Sequence, residues 1–323
     1  MTVKYKIIAL AVSGALLAAC GSDNDNYVEA PGGSSTSLQA FDGAVRYLDA
    51  YMNCAENGWD YIGETGGKGI INIGEGNFPL FDENPSSCIF EFGENIYPSG
   101  GGTQAAVDES NNKPMTNVRY LVPGQLVESG QPIVGTPYST LVALKIFEAE
   151  ENNQEVDLDA IINEAFDETL PAGTNLTEEQ KKQFLANPEE TLSSLDETTS
   201  KNLQASTMVL SDAIAAQVDN ITAGTTTASQ LETATQKTAT VVAQDPDFPT
   251  KEVDGETVPT YVDTTDYFKD ENFDTISDPD DTTAVPPPPV TEGEELEEIP
   301  PTDIPPVEEE LPPPTGGTGG SAG

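Results

Sequence analysis

The chain of 323 residues contains no histidine. That absence excludes a Ser–His or Cys–His catalytic pair, an H-E-x-x-H zinc site and a histidine-held haem, because each needs an imidazole that titrates or ligates near neutral pH. Positive charge is scarce as well: 13 Lys plus Arg stand against 56 Asp plus Glu, a formal charge of −43. The basic residues are scattered, so a phosphate backbone would meet net repulsion and nucleic acid is excluded as a partner. Trp59 is the only tryptophan, and no large α/β pattern accompanies it, which argues against a carbohydrate-active enzyme. Carboxylates are so abundant that a glycosidase-like pair could be drawn anywhere, and the signal is worthless for that reason. Two near-motifs also fail. Gly66-Gly67-Lys68-Gly69 lacks both the earlier glycine and the Ser or Thr after lysine that a P-loop needs, and Asp278, Asp280 and Asp281 lack the glycine and closing glutamate of an EF-hand.

What is present begins at the N-terminus. Lys4 and Lys6 precede an apolar stretch from Ile7 to Ala19. At 1.5 Å per residue this is about 20 Å of helix, short of the ~30 Å hydrocarbon core, so it reads as a signal peptide and not a permanent span. The stretch ends Leu17-Ala18-Ala19-Cys20-Gly21, which resembles the lipobox of bacterial lipoproteins. The resemblance implies that residues 1–19 are removed and that Cys20 becomes the first residue, with a thioether-linked diacylglycerol and an acylated amine. Three acyl chains, at roughly 0.8 kcal/mol per buried CH₂, exceed what stable anchoring requires. The alternative is a plain secretory signal followed by a chance cysteine. Gly21 stands where an Asp would, by the enterobacterial sorting rule, retain a lipoprotein in the inner membrane. The resemblance therefore implies an outer-membrane location, on the periplasmic or the cell-surface face. Residues 20–37 read as a flexible tether.

With Cys20 lipidated, Cys54 and Cys88 remain as an even pair in an oxidising compartment, so a disulfide between them is expected. It would close a loop of about 35 residues and contribute roughly 3–4 kcal/mol by the chain-entropy estimate.

The remainder divides by composition into an α+β chain of several domains. Residues 38–135 carry short β-like runs, Ala44 to Tyr51, Gly69 to Ile73, Cys88 to Phe92 and Val118 to Val122, separated by Gly, Asn and Pro clusters. That pattern predicts a small antiparallel β-sandwich with a thin core of Val45, Leu48, Ile70, Ile71, Ile73, Ile89, Phe90, Phe92 and Leu121. Residues 136–244 change to helical period. Thr136-Pro137 marks one start, Asp157 a second, and Thr177 with Gln180 forms a capping box. Asn187-Pro188 is expected to begin a longer helix whose stripe is Leu203, Thr207, Leu210, Ile214, Val218 and Ile221, ended by Gly224. Ser229 to Ala243 would return against it as a helical hairpin, although the stripe could also serve as a coiled-coil seam between chains. From Asp245 onward, 22 acids face only Lys251 and Lys269, and the apolar residues show no period. Residues 245–323 are therefore expected to form a disordered, Pro-rich acidic tail.

A second resemblance emerges from these blocks. Phe41-Asp42-Gly43-Ala44-Val45-Arg46-Tyr47-Leu48-Asp49, with Glu56-Asn57-Gly58-Trp59-Asp60 and Gly63-Glu64, resembles the start of prealbumin-like or carboxypeptidase-regulatory-like β-sandwich modules in bacterial surface proteins. Val134-Gly135-Thr136-Pro137-Tyr138-Ser139-Thr140-Leu141-Val142 resembles the "S-P-L-T-T-L-V" helical opening that follows such modules, and Leu170 to Leu176 its later "L-P-x-G-x-N-L". In that family the corresponding loop can ligate calcium through oxygen atoms. The resemblance implies Asp49, Asn53, Glu56, Asn57, Asp60 and Glu64 as candidate ligands, although Cys54 interrupts the run and the register is one residue short. A solvated acidic loop tied down by the disulfide is the alternative. The functional expectation is a non-catalytic outer-membrane or surface lipoprotein with a structural, adhesive or interaction role and an envelope protein as partner. The other is an accessory module that binds calcium or glycan.

Overall fold

The computed structural model describes residues 35–306, apart from 55–57, 95, 98–100, 103 and 129. The signal peptide, Cys20 and most of the tether lie outside the described residues, as do Glu56, Asn57 and residues 307–323. The architecture is mixed α+β.

The N-terminal half holds β1 (Ser35–Ala40), β2 (Val45–Arg46), β3 (Asp49–Cys54), β4 (Asp60–Glu64), β5 (Ile70–Gly74), the short α1 (Pro79–Glu83), β6 (Cys88–Gly93), β7 (Val107–Asp108), β8 (Arg119–Val122) and β9 (Ile133–Gly135). Tyr47, at φ 65°, divides the run from Ala44 to Tyr51 into β2 and β3. One sheet, β4-β3-β6-β8, is antiparallel throughout. The other is mixed: β1 pairs antiparallel with β5 and parallel with β9. The expectation of an all-antiparallel block is corrected here, because β9 leads directly into a helix and must run alongside β1.

Alternation along the strands decides which side chains enter the core. Ala50, Met52 and Cys54 of β3 join Leu38, Ile71, Ile73, Phe90, Phe92, Tyr120, Val122 and Ile133 in one hydrophobic cluster fed by both sheets. Asp49, Tyr51 and Asn53 take the opposite face. The same rule leaves Ile70, Ile89 and Leu121 half-buried, since each adjoins a residue that already faces inward.

Six helices follow: α2 (Pro137–Glu151), α3 (Leu158–Asp167), α4 (Glu178–Ala186), α5 (Pro188–Ser194), α6 (Glu197–Thr222) and α7 (Ala228–Gln244). Their starts are local chemistry. Thr136 and Ser139, Thr177 and Gln180, and Thr227 and Gln230 form reciprocal capping boxes. The longer helix expected from Asn187 is two helices. Leu195 is extended and Asp196 accepts the Thr199 amide, so α6 starts afresh at its own cap. Helix α6 is also buried on every side: Ala205 to Ala215 are all enclosed. It packs against α7 along its length and leaves no seam for a coiled-coil partner there. Its Leu203, Leu210 and Ile214 join Tyr138, Phe166, Phe184 and Leu231 in a second cluster.

The disorder expected from Asp245 is wrong for residues 245–306. This segment forms β10 (Thr250–Val253), β11 (Glu256–Val262), α8 (Asp270–Ser277), β12 (Val290–Glu292) and β13 (Thr302–Ile304). The first two strands and β12 make a small antiparallel sheet. Phe248, Val262, Phe268 and Phe273 enter the helical cluster. Then β13 pairs parallel with β5 and completes the mixed sheet as β13-β5-β1-β9. The anchors are too widely spaced to show a period, and the core they join is supplied by earlier residues. Two glycines admit the returning strand. A Cβ on Gly67 would lie 1.7 Å from the Ile299 carbonyl oxygen, and one on Gly74 2.3 Å from Pro306 N.

Candidate functional site

Two regions gather chemically unusual side chains. The first is the outer face of β3, where the sequence placed candidate ligands. Asp49 is buried and accepts hydrogen bonds from Tyr51 Oη (3.1 Å), Tyr61 Oη (3.2 Å) and the Gly102 amide (3.0 Å). Glu64 stands opposite Asp49 in the β3–β4 register, whereas Asp60 pairs with Met52, three residues along the strand from Asp49. At ~3.3 Å per residue this is roughly 10 Å away. Asn53 lies across from Ile89 of β6. The structure therefore joins Asp49 with Glu64 but not with Asp60 or Asn53. Among the described residues no three Asp, Glu or Cys side chains converge as a metal cage would require.

Aromatic rings cover this face. Trp59 stacks on Tyr97 with centroids 4.9 Å apart, and Tyr97 meets Tyr51 edge-on at 5.0 Å. Tyr97 donates to Glu91 Oε2 at 2.6 Å, and Arg119 holds the other Glu91 oxygen. Burial, helped by the Asp49 charge, pushes the Tyr61 hydroxyl up to about 12; burial and Tyr51 do the same for Tyr97. These phenols are donors at neutral pH. Beneath them Cys54 and Cys88 occupy one rung of the β3–β6 ladder, with Cα atoms 4.1 Å apart, and are disulfide-bonded. The expected pair is formed, and it ties the two central strands of the sheet.

The second region was not foreseen. Lys113, in the loop after β7, is buried and places Nζ 2.7 Å from Asp212 Oδ1 of α6, itself buried. The other Asp212 oxygen accepts from the Thr264 amide (2.7 Å) and hydroxyl (2.9 Å). Next to Asp212, the Ser211 hydroxyl pairs with Tyr120 Oη of β8 at 2.8 Å. Three parts of the chain, the sheets, the central helix and the C-terminal segment, thus meet at one polar knot. Two further carboxyls belong to it. Asp108 accepts from the Ser110 amide, the Ser110 hydroxyl and Asn111 Nδ2, and burial pushes it up to about 6. Asp42 is buried with neither oxygen in a hydrogen bond of normal geometry. Burial drives its carboxyl well above the usual range, outweighing the pull of Lys113.

One signal for this knot was present in the sequence. Ser211-Asp212 interrupts the otherwise apolar run from Met208 to Ala216, and a charge in such a place needs a buried partner. The partner's identity is non-local and could not be read. Comparison with protein-family models, with curated proteins and with solved structures finds no match.

Proposed function

We propose that this protein is a non-catalytic lipoprotein of the bacterial envelope, anchored through acylated Cys20 at the outer membrane, whose folded part serves a structural, adhesive or interaction role towards an envelope partner. The β-rich half is read as a degenerate prealbumin-like or carboxypeptidase-regulatory-like module and the helices as its "S-P-L-T-T-L-V"-type continuation. The observation that carries the reading is the Lys113–Asp212 knot. Two buried side chains of opposite charge, Lys113 and Asp212, pair with each other and, with Thr264, join three segments, as in a scaffold. The lipobox supplies the address. Replacing Cys20 with Ser should release the protein from the membrane fraction; retention of the variant would overturn the anchor.

A second reading, a glycan-binding accessory module, is favoured by the half-exposed Trp59 stacked on Tyr97. Sugar rings stack on such aromatic faces. Trp59→Ala should then lower binding to envelope glycans in titration calorimetry. No heat from the unaltered protein would remove this reading. Calcium has less support, because the described candidates do not converge.

A further inference from the structure

A cavity of about 580 Å³ opens where the loop after β1, the loop after β7, helices α5 and α6, and returning residues 295–298 meet. Phe41, Leu192, Met208 and Leu296 give it apolar wall, and its volume falls in the range of small-molecule sites. Its charge is one-sided. Asp42, Asp108, Glu109, Glu189, Glu295 and Glu298 line it, with Lys68 as the single lining cation. Glu109 is already held by Arg46 at 2.8 Å.

The imbalance is sharpest on the wall formed by the two loops. Asp42 and Asp108 are only 4% and 1% exposed. Among the described residues no cation is ion-paired with either, and the nearby Lys113 is engaged by Asp212. Neither Asp42 oxygen makes a hydrogen bond of normal geometry, although the Ser211 hydroxyl interacts with the carboxyl. The Asp108 carboxylate packs directly against Gly43, also in this wall, where a Cβ would lie 2.3 Å from Oδ1. A cation entering the cavity would favour the ionised form of Asp42 and Asp108, which burial otherwise biases towards the proton, whereas a neutral molecule of the same shape would gain apolar contact alone. An inorganic cation lacks a converging ligand set among the described residues.

We propose that this cavity binds a small organic ammonium ion, its cationic head towards the Asp42–Asp108 wall and its apolar body against Phe41, Leu192 and Met208.

Titration calorimetry of the purified full chain at neutral pH tests this with n-hexylammonium chloride, n-hexanol, sodium hexanoate and calcium chloride. Hexylammonium should bind saturably and one to one, with hexanol weaker by about tenfold or more and hexanoate giving only heat of dilution. Asp42→Asn should bring hexylammonium down towards the affinity of hexanol. Gln204→Trp, which projects an indole from α6 into the cavity, should abolish binding while the circular dichroism spectrum is kept. Equal affinity for hexylammonium and hexanol, no saturable heat, or binding that survives Gln204→Trp in folded protein would overturn the site. Tighter binding of calcium than of hexylammonium would overturn the ligand class. The comparison of the four probes uses the unaltered protein and stands even if a variant fails to fold.

Discussion

Lys113 Nζ lies 2.7 Å from Asp212 Oδ1, and both side chains are withdrawn from solvent. The pair ties the loop after β7 to the helix at the centre of the second hydrophobic cluster, while Thr264 fixes the C-terminal segment to the same carboxylate. Removing one partner strands a charge. Asp212→Ala should therefore destabilise the fold by about 3–5 kcal/mol, whereas replacing both residues with apolar ones of similar volume should recover most of the loss. Urea midpoints of the single and double variants check this. A single variant within about 0.5 kcal/mol of the original would contradict a buried pair.

Stability should fall as pH rises from mildly acid to neutral. Asp42 and Asp108 have folded-state values raised above the usual 3.8, Asp108 to about 6. A raised carboxyl holds its proton more tightly in the folded state, so its stabilisation is present below the unfolded value and is lost as pH climbs through the folded one. The loss from Asp108 spans roughly pH 4 to 6, and Asp42 adds a loss of the same sign. Asp42→Asn should flatten this dependence and raise stability at pH 7. Urea midpoints at pH 5 and 7 that rise with pH in the unaltered protein would contradict the assignment.

The disulfide bridges one rung of β3–β6 and joins residues 34 apart in sequence. Replacing Cys54 and Cys88 together with Ala should cost about 3 kcal/mol. Calorimetric melting of the double variant is the check; an unchanged transition would mean the staple contributes nothing.

The C-terminal return should be sensitive to any side chain at Gly67. Gly67→Val forces the Ile299 carbonyl away, with a cost of about 1–3 kcal/mol. Amide exchange at Ile71 and Ile73, whose strand pairs with β13, should quicken in that variant. Unchanged protection would show that the return does not depend on this close approach.

Local chemistry in this chain is legible and distant pairing is not. The caps at Thr136, Asp157 and Thr177 could be read because a cap and its helix are adjacent in sequence. The cysteine pair followed from arithmetic. The ordered course of residues 245–306 could not, because Phe248, Phe268 and Phe273 bury themselves in a cluster built by earlier helices and β13 borrows the edge of β5. The acids around them dominate the composition but point elsewhere. Similarly, Asp42 reads as the Asp of an Asp-Gly turn, and only the fold brings it near Lys113, Asp108 and Asp212. Of the candidate calcium ligands, the β3–β4 register unites Asp49 and Glu64 and separates Asp60, a consequence of strand pairing that spacing alone does not reveal.

Limited proteolysis of the membrane-bound protein, read by intact mass spectrometry, tests most directly the central claim of a lipid-anchored head closed by its own C-terminal segment. The account predicts an uncut chain that begins at Cys20 with the mass of a diacylglycerol and an amide-linked acyl chain, and, after cleavage within the tether, a protected fragment that extends at least to Pro306. An uncut chain with an unmodified N-terminus, or a fragment cut within residues 245–293, would contradict it.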